Sequence, residues 1–237
     1  MKSFIVSATL VALAATTPFN PQPSAEEIVA RDIEARQRGG VGSTANEFKD
    51  GGCADIIMLF ARGSTETGNM GTICGPPTAN GVKANFDSVA VQGIDYGALL
   101  STNFLPGGAD PAGIAEMKDL IGQANSQCPD SMLVVGGYSQ GAALTHRAVE
   151  DLPQDQKDQI VAAFTFGDTQ NEQDNGQIPN FDADKTKVIC NRGDAVCRGT
   201  LTILPAHLDY TRRADEAVDF ITGQLTAAGA KLKKRSA

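Results

Sequence analysis

The run from Met132 to Leu144, Met-Leu-Val-Val-Gly-Gly-Tyr-Ser-Gln-Gly-Ala-Ala-Leu, passes from apolar residues through three glycines into helix formers. The apolar part predicts a buried strand over Met132–Gly136, with the helix proper beginning at Ala142. The Gly-x-Ser-x-Gly between them sets Ser139 on a sharp strand-to-helix turn. Gly137 and Gly141 flank it because such a turn leaves no room for Cβ atoms against the neighbouring strand and helix. Apolar runs bounded by turn signals recur at Ile56–Phe60, Val89–Ile94, Met132–Val135, Val161–Phe166 and Lys187–Cys190. Between most of them lie patterns of helical period, such as Ile114, Met117, Leu120, Ile121 and Ala124; the last is Ala214, Val218, Ile221 and Leu225. Strands alternating with helices predict an α/β fold, a doubly wound three-layer sandwich with a parallel sheet between helices. Sites in such sheets lie at the carboxyl ends of strands, where Ser139 falls.

No repeat or linker interrupts residues 50–230, so one catalytic domain is expected, spanning 47–230. With 237 residues, 41% of them hydrophobic, the chain can bury a sizeable core. A net charge of −8 argues against nucleic acid or an anionic membrane as partner. The basic cluster Lys231–Arg235, in the tail 231–237, is expected to be a solvated helix end. Residues 1–14 read as a secretory signal peptide: Lys2, the apolar run Phe4–Ala15, then the small-x-small Ala12-Leu13-Ala14. That run is too short for stable membrane insertion. Residues 15–46, with Pro18, Pro21 and Pro23, read as a propeptide or flexible leader. The mature protein is therefore expected to be secreted, extracellular and soluble. In that oxidising setting most cysteines should pair, but five cannot pair completely. Cys190 and Cys197, seven apart, can close a small loop. Cys53 and Cys128 each sit at the edge of a predicted element, and Cys74 lies in the loop Gly71–Pro77. No Cys-x-x-Cys or His-x-x-x-His spacing exists, so no metal is expected.

A serine hydroxyl needs an adjacent base to act as a nucleophile. The chain holds two histidines. His146 lies seven residues beyond Ser139 on the same helix, about 10 Å along its axis, and reads as an ordinary surface residue. His207, in a loop before the last helix, is the base by elimination. Two aspartates compete to orient it. Asp168 and Asp194 each follow a predicted strand; Asp194 is favoured because a Cys190–Cys197 bridge would rigidify its loop, and Asp168 reads as a turn residue after Gly167. The backbone N–H of Gln140 comes with the motif as an oxyanion donor. A second donor is sought in the loop Ala61–Glu66, where Ser64 is a candidate alongside a plain polar turn.

These residues resemble the fungal cutinases over about residues 50–230. The resemblance rests on Cys-Ala-Asp before the first strand, Ala-Arg-Gly-Ser-Thr-Glu-Thr-Gly-Asn at Ala61–Asn69, and Gly-Gly-Tyr-Ser-Gln-Gly-Ala. Gly-Asp-Ala-Val-Cys at Gly193–Cys197 and the later Pro-Ala-His-Leu also match. It implies a five-stranded parallel sheet of the α/β-hydrolase type without a large lid. It implies Ser139, Asp194 and His207 as a triad, Ser64 and Gln140 as the oxyanion hole, and Asn103 holding Ser64. It also implies the bridges Cys53–Cys128 and Cys190–Cys197, and a substrate rim of Leu100, Leu201, Ile203 and Leu208. The expected activity is that of a secreted serine esterase hydrolysing cutin, a plant polyester, and small esters. It would act as a monomer, without metal or organic cofactor. An acetylxylan esterase on the same fold is the alternative, and a non-catalytic protein binding hydrophobic surfaces a more distant one.

Overall fold

In the computed structural model, residues 40–233 are described, together with Ser24 and Glu27. The expected signal peptide and most of the leader lie outside these residues. Five strands form one sheet: β1 (Ile56–Ala61), β2 (Val89–Gly93), β3 (Met132–Tyr138), β4 (Ile160–Phe166) and β5 (Thr186–Ile189). Their order is β2-β1-β3-β4-β5, and every pairing is parallel. Because both faces are covered, the central strands are apolar throughout rather than alternating with polar residues. Each of the six residues of β1 is buried.

The period-two pleat divides those side chains between two cores. Ile57, Leu59, Leu133, Val135 and Ala163 pack against α3 (Pro111–Gln127) and α4 (Gln140–Val149), through Met117, Leu120, Ile121, Ala143 and Leu144. Ile56, Met58, Phe60, Val134 and Phe164 point the other way. They meet α2 (Gly75–Asn85) and α6 (Ala214–Ala227), through Ala79, Val82, Ala217, Ile221 and Leu225, while a short α5 (Gln154–Gln159) leads into β4. α3 opens with Pro111 after Asp110, whose carboxylate accepts the Ala112 N–H.

β2 is an edge strand, and the chain that precedes β1 covers it. In α1 (Glu47–Gly51), Glu47 Oε2 accepts the Val91 N–H at 2.8 Å. The Lys49 N–H reaches Gln92 Oε1 at 3.2 Å, and the Gly93 N–H reaches the Ala45 carbonyl at 2.9 Å. Val41 and Asn80 exchange two hydrogen bonds. The expected leader boundary at residue 46 thus falls inside a packed segment. Its anchors are amide and carboxylate side chains dozens of residues away, which local composition does not reveal. At the other end α6 stops at Ala227, so residues 231–233 lie beyond the helix, and the last two residues of the basic cluster fall outside the described residues. Lys233 instead returns to the last turn of α2, donating to the Lys83 carbonyl and pairing with Asp87 at 3.3 Å.

Disulfides join Cys53 to Cys128 and Cys190 to Cys197, and Cys74 is a buried free thiol. Among the described residues no helix is long and apolar enough to cross a membrane.

Candidate active site

In a sheet of this order the chain runs outward in one direction from β1 to β2, then in the other through β3, β4 and β5. The loops leaving β1 and β3 diverge and open a crevice at the carboxyl end. Ser139 stands there, between β3 and α4, at φ 56°. A left-handed serine is strained, and backbone approach on both sides holds it. A Cβ on Gly137 would come 2.1 Å from the Gly141 carbonyl oxygen. One on Gly141 would come 2.0 Å from that of Ala61. The strand runs two residues further than expected and the helix starts two earlier, so the turn is tighter than the sequence implied.

Ser139 Oγ lies 2.9 Å from His207 Nε2. His207 Nδ1 lies 2.9 Å from Asp194 Oδ2. All three residues are buried. His207 sits in a 3-10 turn, Pro205–Leu208, that proline can begin without losing a needed N–H. The Tyr138 hydroxyl donates to the His207 carbonyl at 2.7 Å. With Nδ1–H donated to a carboxylate, Nε2 faces the serine as an acceptor. Asp194 lies within the loop closed by Cys190–Cys197. Its Oδ1 accepts the Val196 N–H, and Oδ2 also accepts the Tyr210 hydroxyl at 2.6 Å. Burial works against ionisation of Asp194, but hydrogen bonds from His207 and Tyr210 outweigh it and hold the carboxyl below the ordinary carboxylate range.

Ser64 follows β1 across the crevice. Its hydroxyl oxygen accepts Asn103 Nδ2 at 2.9 Å and Gln140 Nε2 at 3.2 Å. A hydroxyl oxygen that accepts twice keeps its own hydrogen for donation into the crevice. Glu66, which the sequence did not single out, fixes this loop from beneath. Its carboxylate accepts the Gly63 N–H at 2.7 Å, Thr72 N–H at 2.8 Å and Ile73 N–H at 2.9 Å. Burial still pushes its carboxyl up. The signal lay in the neighbouring glycines: at Gly71 a Cβ would overlap the Glu66 carboxylate.

The cavity over Ser139 has a volume of about 530 Å³. The four expected rim residues, Leu100, Leu201, Ile203 and Leu208, line it with Phe104. Phe104 is 77% exposed and Leu100 60%. Leu99, Leu105 and Leu204, on the same loops, are exposed but do not line the cavity.

His146 and Asp168 differ from expectation. His146 is fully buried, and its two ring nitrogens face Asp174 Oδ2 at 2.7 Å and Asp168 Oδ2 at 2.8 Å. Asp168 also accepts Thr165 Oγ1 and the Gln170 N–H. It is a buried ion-pair partner rather than a turn residue. This pair packs α4 onto the loop after β4, away from Ser139.

The arrangement offers a hydroxyl facing an acceptor nitrogen, with candidate donors for a developing oxyanion, beneath an aliphatic cleft. The family model described as Cutinase matches residues 52–225. Cutinase CUT2 of Pyricularia oryzae is 53% identical over 195 residues, covering 81% of this chain and 90% of that protein. Cutinase 2 of Fusarium vanettenii is 46% identical over 217 residues, covering 89% and 90%. Among solved structures, Trichoderma reesei cutinase in complex with a C11Y4 phosphonate inhibitor superposes with a TM-score of 0.69 at 33% identity, covering 84% of this chain and 87% of that one. An acetylxylan esterase shares the fold at 21% identity, with a TM-score of 0.59 over 73% of this chain and 99% of that one.

Proposed function

Because this chain belongs to the cutinase family, we propose a complete route by which it hydrolyses the carboxylic ester bonds of cutin. Ser139 Oγ attacks the ester carbonyl while His207 Nε2 takes its proton. The carbonyl π electrons move onto oxygen, and the oxyanion is met by the Ser64 hydroxyl and the Gln140 N–H. Collapse of this intermediate breaks the bond to the alcohol oxygen, which takes the proton back from His207. The acyl group stays on Ser139. Water then repeats the sequence, giving up a proton to His207 and releasing the acid and the free serine. Asp194 orients the imidazole and stabilises its charged form. Asn103 holds the Ser64 hydroxyl, and the aliphatic rim receives the acyl chain. The protein works outside the cell, after removal of its leader, on an insoluble polyester and on small soluble esters.

The observation that carries this route is the chain of contacts from Ser139 through His207 to Asp194, 2.9 Å at each step. A fluorophosphonate should label Ser139 once and abolish ester hydrolysis. Labelling at another residue, or retained activity in Ser139→Ala, would overturn the assignment. The expected loss in Ser139→Ala is on the order of 10⁴-fold or more in kcat.

The rim bears on which esters are preferred. Each acyl methylene buried against it gains up to ~0.8 kcal/mol, and the chain has no tryptophan on which a sugar ring could stack. Butyryl and hexanoyl esters should be cut faster than acetylated xylan by the same preparation. Faster release of acetate than of cutin monomers would transfer the reading to polysaccharide deacetylation.

A further inference from the structure

Tyr210 is fully buried, yet its hydroxyl is placed with unusual economy. It accepts the Asn191 N–H at 2.8 Å and donates to Asp194 Oδ2 at 2.6 Å. Asn191 in turn ties down the histidine segment, donating to the carbonyls of Ala206 and Asp209. The oxygen that takes the Tyr210 hydrogen bond is the one that takes His207 Nδ1. The Tyr210 ring stands edge-on to the His207 ring at 6.2 Å between centroids. Gly167, at φ 51°, lets the loop after β4 press on both: a Cβ there would lie 2.9 Å from His207 Cε1 and 2.9 Å from Tyr210 Cε2. The phenol therefore has one orientation, set by Asn191 behind and by packing on the sides.

We propose that Tyr210 is a positioning residue for ester hydrolysis: sharing Asp194 Oδ2 with His207, it fixes the carboxylate and draws off part of its charge, so that the histidine stays a proton acceptor at lower pH. The proposal rests on the triad reading above. A carboxylate whose charge is shared with a phenol stabilises an imidazolium less than one that faces the imidazole alone. Removing the phenol restores that charge to His207 and favours its protonated form. The other titratable groups around this pair come from separate elements. Tyr138 approaches from β3 and Cys74 from the start of α2; burial keeps both protonated. The Glu66 carboxylate acts on Tyr138 from the loop after β1. Arg213 donates to Asn191 Oδ1 at 2.9 Å.

Tyr210→Phe keeps the ring and deletes the donor. On a soluble butyryl ester kcat should fall about tenfold with KM little changed, the scale of one hydrogen bond to a charged group. The acid limb of kcat/KM should move to higher pH by about half a unit or more. Incorporating 3-fluorotyrosine at position 210 makes the phenol a stronger donor and should move the same limb to lower pH. An acid limb that superposes on the wild type in Tyr210→Phe, or that moves downward, overturns the proposal whatever happens to kcat. Should Tyr210→Phe not fold, the fluorinated protein decides, and an unmoved limb there overturns it equally. Fluorophosphonate labelling of the wild type is read separately. If Ser139 is not labelled, the triad reading has failed rather than the role of Tyr210.

Discussion

Two buried aspartate–histidine pairs lie within this molecule, and their hydrogen bonds give them opposite characters. His207 has a carboxylate on one nitrogen and a hydroxyl on the other, a pattern that a neutral imidazole satisfies. His146 has a carboxylate on each nitrogen, so both must carry hydrogen and the ring is an imidazolium. The first pair can take up a proton during reaction; the second already holds one. Asp194→Asn should therefore lower kcat by roughly 10⁴-fold by favouring the wrong tautomer, with little change in the unfolding midpoint. Asp168→Asn should do the reverse, destabilising the protein while sparing most of kcat in the fraction that remains folded. Measuring urea midpoints and kcat on both variants checks the contrast. Comparable losses of kcat in the two would refute it. The sequence favoured Asp194 through its neighbouring cysteines, and His207 by elimination. It gave no hint that His146 is buried, since Asp168 and Asp174 reach it from a different element, more than twenty positions along the chain. Tyr210 and Glu66 escaped for the same reason. Nothing local marks a hydroxyl or a carboxylate as the one whose partners are distant.

At the scale of elements, the His146 cluster fastens α4, which begins at the nucleophile turn, to the loop that follows β4. Arg147 extends it, pairing with Asp174 and with Glu150. Burial alone would lower the His146 pKa, but the charge of Asp168 and the hydrogen bonds His146 donates to both aspartates override this and raise it from 6.5 to about 9. A folded value above the unfolded one means that the contribution to stability is complete below pH 6.5 and is lost as pH rises through about 9. Urea unfolding of the wild type should therefore weaken from neutral toward alkaline pH. In His146→Gln that slope should flatten, on a protein destabilised by roughly 3–5 kcal/mol because buried carboxylates lose their cation. An equally steep alkaline decline in the variant would assign the effect elsewhere. The strands themselves were legible, because a sheet covered on both faces leaves uninterrupted apolar runs such as Ile56–Ala61. The end of β3 was less so: Gly137 and Tyr138 continue the ladder with residues that composition reads as a turn.

The whole molecule is held at its margins by contacts that lie outside the apolar pattern. The segment from Val41 through α1 fills the open hydrogen-bonding edge of β2 and precedes residue 52, where the family match begins. A protein starting at residue 52 should expose that edge, melt earlier and self-associate on a sizing column; one starting at residue 40 should not. An unchanged melting point in the shorter form would show that the edge cover adds nothing. The Cys53–Cys128 bridge spans 75 residues and ties the entry to β1 to the end of α3. Replacing both cysteines by serine should cost ~4 to 5 kcal/mol on the chain-entropy estimate for long loops, read from denaturant unfolding.

The burial of Cys74 also bears on the order in which this chain can mature. During oxidative folding a fifth thiol competes for every partner, and any bond it forms strands one of the other four. Its place at the head of α2, under the sheet and fully shielded, withdraws it from exchange as soon as that layer closes. Burial also holds it as an unreactive thiol. Packing of that layer ahead of oxidation would protect native pairing, and a slow-packing variant should accumulate shuffled isomers even with all five cysteines intact. Iodoacetamide should modify this thiol in the unfolded protein and leave it untouched in the native one. Rapid labelling under native conditions would mean the fifth thiol stays in circulation, and correct pairing would then depend on an isomerase at every round of synthesis.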